Sequence, residues 1–225
     1  MFSVSDAWRK KYPGAVAGIL IMRHVSNQER HAGLDQKKTE LEANLRIRFS
    51  GLDRHELEAI PPFPAYAAYY KLFKKTYHIL LQLESIVSKG KTIPNVASLV
   101  ESMFMAELGN RLLTAGHDLS AIQLPVRLEI ASGDEHYVTL NGQDQTLKRD
   151  DMAISDKQGI LSSVIYGPDQ RTQIIASTNE VLYTVYAPPG IGEQAVEKHL
   201  QDIKNFVFLV SPEADVKLSQ VWSAS

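Results

Sequence analysis

Residues 90–141 decide the fold: they read GKTIPNVASLVESMFMAELGNRLLTAGHDLSAIQLPVRLEIASGDEHYVTLN. The Gly-Lys-x-x-Pro sequence at Gly90–Pro94 separates two apolar segments, as glycine and proline commonly do. The segment after it, residues 96–112, has apolar side chains at helical spacing and is predicted to be a buried helix. His117 and Asp118 then lie in a polar segment that is predicted to be a loop.

From residue 124 onward the pattern changes to strands. Residues 125–131 and 136–140 are expected to pair with each other across a tight Gly-Asp-Glu turn, and Asn141-Gly142 is a strong hairpin signal. Shorter strands are predicted at 152–155, 160–166, 172–176 and 181–186. An amphipathic helix at 193–209 and a last edge strand at 216–221 complete this part of the chain.

Helices dominate the chain before residue 90. The apolar run at residues 15–25 is the exception and predicts a buried strand. Tyr66, Tyr70 and Phe73 form an aromatic stripe on one helix; such stripes usually belong to the core, and a surface for base stacking is the alternative. The predicted helices are residues 6–11, begun by Ser5 or Asp6, then 34–49, 53–59, 65–75 and 77–88, with Gly90 as a cap.

The predicted fold class is α+β: a β-sandwich-like core with flanking helices. The strands do not alternate regularly with helices, which disfavours a doubly wound fold. The length of 225 residues, 44% of them hydrophobic, suffices for one large core. We expect a single domain over residues 1–225, helix-rich at 1–112 and strand-rich at 113–190, with a C-terminal helix and edge at 191–225.

The formal net charge of −2 argues against a protein that attracts nucleic acid by its overall charge. The charge is uneven, however: residues 1–112 carry 16 Lys and Arg against 11 Asp and Glu, and residues 113–225 carry 8 against 15. The basic half could meet an acidic ligand, although solvated helix faces are the simpler explanation.

Several classes of site are disfavoured by the residue types present. The chain has no cysteine, which excludes disulfides, thiolate zinc sites and cysteine nucleophiles. No His-Glu-x-x-His, Gly-rich phosphate loop or Gly-x-Ser-x-Gly motif occurs, so no metal and no cofactor are predicted. Neither a signal peptide nor a membrane-spanning run is recognisable, and a cytoplasmic protein without a membrane partner is expected.

Six polar residues of the β-rich part are candidates for binding a substrate or RNA: His117, Arg127, Glu135, Arg171, Thr172 and Thr178. His117 is also a weak candidate for a general base, while Asp118 beside it is more simply a cap for the turn at residues 119–122. Arg127 could hold a phosphate or carboxylate in bidentate fashion. A structural pair of Arg127 with Glu135 across the expected hairpin is the alternative.

Short motifs recur in a characteristic order between Pro13 and Val207. They are Pro13-Gly14 before a strand ending at Arg23, Tyr66, Tyr70 and Phe73, Gly90–Pro94, Leu99-Val100-Glu101, Asp118-Leu119, Val126-Arg127, Gly133 with Glu135, Ser155-Asp156, Arg171-Thr172, Thr178, and Ala187-Pro188-Pro189-Gly190. In this order and spacing the chain resembles a free-standing form of the B3/B4 domain of the phenylalanyl-tRNA synthetase β subunit.

The resemblance implies an RNA-binding module that contacts the aminoacyl or acceptor end of tRNA, because this domain edits mischarged tRNA in the synthetase. Two alternatives are a trans-acting aminoacyl-tRNA deacylase and a protein that binds a small molecule such as an amino acid. Hydrolysis of an activated ester needs a positioned water and oxyanion donors more than a dedicated nucleophile. Where the family carries a pocket glutamate after Thr178, this chain offers Tyr183 and Thr184, so binding is ranked before hydrolysis.

Overall fold

The computed structural model describes residues 2–224, in which seven α-helices surround two main β-sheets. The helices are α1 (Asp6–Lys11), α2 (Ala32–Arg48), α3 (Arg54–Glu58), α4 (Phe63–Leu72), α5 (His78–Lys89), α6 (Ser98–Asn110) and α7 (Glu193–Val210). The strands are β1 (Phe2–Val4), β2 (Val16–Arg23), β3 (Leu113–Asp118), β4 (Val126–Ile130), β5 (His136–Val138), β6 (Asp144–Thr146), β7 (Met152–Ser155), β8 (Ile160–Ser163), β9 (Gly167–Pro168), β10 (Glu180–Ala187) and β11 (Asp215–Ser223).

The predicted α+β class is confirmed. One sheet is antiparallel with the order β11-β2-β10-β3, and the other has the order β1-β4-β7-β8-β9, in which only the β1–β4 pair is parallel. The strands β5 and β6 form a separate hairpin. The expected edge strand near the C-terminus is present as β11.

The four-stranded sheet is covered on both faces. On one face, the Tyr183 hydroxyl donates to the Leu99 carbonyl of α6, and α7 packs so closely that a Cβ at Gly18 would lie 2.6 Å from Val196. On the other face, the Tyr186 hydroxyl lies 2.7 Å from the Ser162 hydroxyl of β8. The central strand β10 therefore lies between helices and the second sheet, and its side chains from 181 to 187 are buried.

The aromatic stripe of α4 belongs to the core, as its spacing predicts, and the base-stacking alternative for it is wrong. Tyr66 is fully buried and stacks on Tyr77 at 4.1 Å between ring centroids. Its hydroxyl donates to the Tyr186 carbonyl at 2.6 Å and accepts from the Leu113 N–H at 2.9 Å. One phenol thus joins α4 to the ends of β10 and β3.

The predicted pairing of residues 125–131 with 136–140 is wrong. β4 pairs with β1 and β7, and β5 pairs with β6 through the Asn141-Gly142 turn. The reason lies in residues 132–135, where the Glu135 carboxylate accepts hydrogen bonds from the N–H groups of Ser132 and Gly133. This compact loop leads the chain out of the sheet, and β4 gains partners on both sides for its buried Val126 and Leu128.

Two further local predictions are wrong. His117 and Asp118 end strand β3 rather than lying in a loop, because their polar groups are hydrogen-bonded in the interior instead of exposed to water. Residues 172–176 form no strand; the Asp169 carboxylate accepts from the Thr172 N–H and holds a turn there. The caps are confirmed at Gly90, whose φ is +66°, and at Asp118.

The bridging role of Tyr66 gives a stability prediction. Tyr66→Phe leaves a buried N–H and a buried carbonyl without a partner, whereas Tyr70→Phe removes a single hydrogen bond, to the Val164 carbonyl. We expect Tyr66→Phe to lower the free energy of unfolding by about 1 kcal/mol more than Tyr70→Phe, as measured by urea denaturation. An equal or smaller loss for Tyr66→Phe would contradict the bridge.

Candidate ligand-binding site

A cavity of about 580 Å³ lies between α6, the outer edge of β3 and the segment around β9. This volume is in the range of small-ligand sites, and the walls are mostly apolar, as is usual for them. The lining residues that matter below are Val100, Met103, Phe104, Glu107, Gly116 and Tyr166.

The outer edge of β3 presents an unpaired peptide group to this cavity. β10 occupies the other edge, and the N–H groups that alternate outward are those of residues 114, 116 and 118. Thr114 donates its N–H to the Glu107 carboxyl at 2.7 Å, and Asp118 donates its own to the Thr172 carbonyl at 2.8 Å. Gly116 lies between them and has no hydrogen-bond partner on this edge within residues 2–224, so its N–H and C=O are free for a ligand.

A side chain at position 116 would crowd its neighbours. A Cβ there would lie 2.9 Å from the Ile174 side chain and 3.3 Å from the Tyr183 ring. Since a larger residue would push these neighbours into the cavity wall, the glycine keeps the peptide group accessible.

Glu107 is the buried carboxyl of the cavity. Burial raises the pKa of Glu107 to about 8, and the Thr114 N–H counteracts the shift only in part. No cation within residues 2–224 forms an ion pair with it. At neutral pH the group is therefore a carboxylic acid, which can donate a hydrogen bond as well as accept one.

The cavity continues into a surface groove at both ends. A pocket of about 360 Å³ shares His78 and Phe104 with it and extends to Lys91. A pocket of about 420 Å³ shares Leu140 and Tyr166 with it and extends along the β5–β6 hairpin. We call these three connected spaces the groove. Among the residues of 2–224 that line it, Glu107 is the only acidic one.

Buried charges fix the loop between α5 and α6, which forms one wall of the groove. The Glu42 carboxylate accepts from the Ile93 N–H at 2.7 Å, and the Glu101 carboxylate accepts from the Val96 N–H at 3.0 Å. Lys38 is buried and donates to Glu101 at 2.9 Å and to Asn95 at 2.6 Å. The loop is therefore held by side chains of α2 and α6 although it has no regular structure itself.

His117 and Thr172 are brought together, but away from the cavity. The two His117 ring nitrogens lie 2.8 Å from the Thr172 hydroxyl and 3.1 Å from the Ser162 hydroxyl. Burial, reinforced by the positive charge of Arg171, lowers the pKa of His117 to about 3. The ring is thus neutral, has no exposed area, and faces the second sheet.

Arg171 and Thr178 belong to the same polar cluster. The Arg171 guanidinium binds the Asp156 carboxylate through two nitrogens at 3.0 Å. The Thr178 hydroxyl donates to the Asp118 carboxylate at 2.7 Å. These contacts tie the turn after β9 to β3 and to the β7–β8 connection.

Arg127 and Glu135 lie elsewhere. Arg127 is exposed on β4, and Glu135 holds its own loop, so the predicted pair between them across a hairpin is wrong. None of the six candidate residues lines the cavity. Their roles in binding, and that of His117 as a base, stay predictions. The sequence does not single out Glu107, because one glutamate in the apolar run 103–108 has the pattern of a surface position on a helix. The one feature that indicates burial of Glu107 is its place on a helix predicted to be buried.

Residues 2–224 contain neither a cluster of metal-binding side chains nor a membrane-spanning helix. No three His, Asp or Glu side chains in that range are grouped as a metal ion would require. No helix there combines the length and the apolarity needed to cross a bilayer.

The raised pKa of Glu107 predicts a pH-dependent effect of Glu107→Gln. The folded protein keeps this proton up to about pH 8, while an unfolded carboxyl releases it near pH 4.3. The free energy of unfolding of the wild type therefore falls as pH rises between these values, by up to about 1.4 kcal/mol per pH unit from this group. Glutamine keeps the acceptor for Thr114 and cannot titrate.

We therefore expect the stability of Glu107→Gln relative to the wild type to rise steadily from pH 5 to pH 8 in urea denaturation. The contributions of His117 and other groups cancel in this difference. The exposed Glu197→Gln serves as the control and is expected to show little change over the same range. A difference for Glu107→Gln that is constant with pH would show that the carboxyl is ionised when folded.

Comparison with known proteins gives three results. The family model described as "B3/4 domain" matches residues 65–204. No curated protein matches the chain. Among solved structures, the chain is similar to an N-terminal fragment of the phenylalanyl-tRNA synthetase β subunit from Pyrococcus horikoshii, with 12% identity and a TM-score of 0.49, over 98% of this chain and 50% of that fragment. The chain thus spans about half the length of that fragment. Since the family model covers most of the chain and includes α6, β3 and β10, the protein belongs to the B3/4 domain family.

Proposed function

We propose that the protein binds the aminoacylated 3′ end of a tRNA in the groove, with the amino acid in the cavity. The observation that carries the proposal is the unpaired Gly116 peptide group in an apolar cavity beside the neutral Glu107. Membership of the B3/4 family makes an aminoacyl group on RNA the ligand to test first.

The cavity offers complementary partners for an α-amino ester. The Gly116 N–H can donate to the ester carbonyl, and the Gly116 C=O can accept from the α-amino group. An apolar amino-acid side chain would contact Val100 and Met103. Where the amino acid instead carries a polar side chain, Glu107 can hydrogen-bond it as a donor or as an acceptor.

The groove outside the cavity has features of a single-strand binding surface. Phe104 and Tyr166 are half-buried and present ring surface on which bases can stack. The Lys75 ammonium lies 5.7 Å from the centre of the Tyr166 ring, and Lys91 lines the other end. Lys75 beside the half-buried Tyr166 ring and Lys91 at the other end, with no exposed carboxylate of residues 2–224 in the lining, favour an anionic strand.

A second candidate function is hydrolysis of the ester in trans. The observation that favours it is again the Gly116 N–H, because a donor aimed at an ester carbonyl also stabilises the oxyanion of the tetrahedral intermediate. Glu107 is protonated at neutral pH and cannot serve as the base for the attacking water, so His78, whose pKa is lowered by burial and which also lines the cavity, is the candidate for that role. Release of amino acid from several mischarged tRNAs at the spontaneous rate would count against this second function and leave the binding proposal intact.

Filling the cavity tests the proposal. Val100 is half-buried and lines the cavity, so Val100→Trp can occupy the space for the amino acid with little disturbance of the core. With an RNA tail carrying an amide-linked amino acid, we expect the affinity of the variant to fall at least about tenfold, the equivalent of one well-buried apolar group. Fluorescence anisotropy measures the affinity.

Two controls make the result specific. The same RNA tail without the amino acid is expected to bind Val100→Trp and the wild type with equal affinity, because its bases occupy only the outer groove. Ile47→Trp introduces the same side chain at a position that is 76% exposed on α2 and is expected to change nothing. Unchanged affinity of Val100→Trp for the aminoacylated tail would overturn the assignment of the cavity.

A further inference from the structure

A second concave surface lies on the side of the molecule where α1 and α4 meet the segment before β7. Its volume is about 670 Å³. Four cationic side chains line it: Lys11, Lys74, Lys148 and Arg149. All four residues are exposed. We call this surface the basic groove.

The floor of the basic groove is fixed by hydrogen bonds. The Tyr12 hydroxyl donates to the Asp150 carbonyl at 2.6 Å, and the Tyr12 ring packs against Tyr69 with 5.4 Å between ring centroids. The Lys148 ammonium donates to the Phe73 carbonyl at 3.0 Å, which anchors it at the end of α4. The cations are therefore presented by a rigid part of the fold rather than by a loose loop.

The basic groove has excess positive charge. Within the described part of the chain, Asp150 is the only acidic residue that lines it, and it is paired with Lys11 at 2.8 Å. Lys74 and Arg149 form no ion pair with a carboxylate within residues 2–224. In a chain whose formal net charge is −2, this concentration of unpaired cations marks a surface for an anionic ligand.

The basic groove and the groove that holds the proposed 3′ end share no lining residue, and two successive residues, Lys74 and Lys75, connect them along the chain. Lys74 lines the basic groove, and the next residue, Lys75, places its ammonium over the Tyr166 ring at the mouth of the cavity. Lys74 thus lies at the basic groove and Lys75 beside a ring that lines the cavity. A polyanion that reaches the cavity from this side would meet positive charge along its path.

We propose that the basic groove binds backbone phosphates of the double-stranded stem adjoining the 3′ end. The inference rests on the proposed function for the location of that end, but it assigns a different surface and a different part of the RNA. Lysine and arginine contacts of this kind are independent of sequence and sensitive to salt. The stem is recognised through its phosphates, not its bases.

The test compares two RNAs on two proteins. One RNA is a hairpin with a single-stranded 3′ tail, and the other is the same tail alone. For Lys74→Glu/Arg149→Glu we expect affinity for the hairpin RNA to fall at least tenfold at low salt, with the slope of log K against log salt reduced by about 2. Affinity for the tail alone is expected to stay within about twofold of the wild type, since the tail does not reach this surface.

Control variants separate local from general charge. Lys157→Glu/Lys204→Glu makes the same change of charge at two residues that line neither groove and is expected to bind the hairpin RNA nearly as the wild type does. Lys74→Asn/Arg149→Gln removes charge without reversing it, and asparagine tolerates the φ of +56° at position 74. This neutral pair should give an intermediate loss with an unchanged thermal melting profile.

The outcomes distinguish the two proposals. Hairpin binding unaffected by Lys74→Glu/Arg149→Glu, with the tail bound as proposed, overturns the basic groove alone. Loss of hairpin binding in that variant, when the wild type does not bind the tail, supports the basic groove and overturns the proposed function. If Lys74→Glu/Arg149→Glu loses the same affinity for the hairpin RNA and for the tail alone, the proposal that stem and tail bind different surfaces is overturned. If polyglutamate displaces the bound hairpin RNA as effectively as further hairpin RNA does, the assignment of the basic groove to RNA is overturned.

Discussion

The outer edge of β3 is the constraint on which the candidate site depends. No strand within residues 2–224 pairs with this edge. The Glu107 carboxyl and the Thr172 carbonyl accept two of its N–H groups, and the cavity lies beside the third, that of Gly116. A buried N–H without a partner costs about 1–3 kcal/mol, so the edge is satisfied wherever the protein can reach it. At Gly116 the protein leaves donor and acceptor open, and this defines where a ligand can replace the missing strand.

The surroundings of β3 keep that edge in place. Tyr66 holds the first residue of β3 against β10, and the cluster around His117 and Arg171 holds the last residues of β3. In both arrangements the polar groups are either neutral or hydrogen-bonded to a partner. The two ends of β3 are therefore fixed in an interior with little water. Glu107 is different, since its carboxyl meets one N–H and otherwise faces the cavity. The pKa of Glu107 is therefore expected to change when a ligand occupies the cavity.

Much of the fold could be predicted from the sequence, because apolar spacing records which faces of helices and strands are buried. The helices and the buried strand at Val16–Arg23 follow this rule. Strand pairing could not be predicted, since it depends on how the loop at Glu135 directs the chain. His117 was assigned to a loop because polarity usually indicates exposure, whereas here hydroxyls contributed by β8 and the turn at Thr172 satisfy the ring.

The site was less predictable than the fold. The six candidate residues have side chains suited to binding or catalysis, but none of them lines the cavity. Tyr183 and Thr184, which follow Thr178 on β10, do not supply a carboxyl to the cavity, and the Tyr183 hydroxyl donates to the Leu99 carbonyl. The carboxyl of the cavity comes instead from α6, seven residues before its partner Thr114, and only the turn between helix and strand brings these two together.

We propose that the free edge of β3 at Gly116 receives the aminoacyl group of an RNA. The most direct measurement is a crystal structure of the protein bound to an RNA hairpin whose 3′ end carries an amide-linked amino acid. The account predicts that the linking carbonyl accepts a hydrogen bond from the Gly116 N–H, with the amino-acid side chain between α6 and β3. An amino acid bound outside the cavity, or a Gly116 peptide still unpaired in the complex, would contradict it.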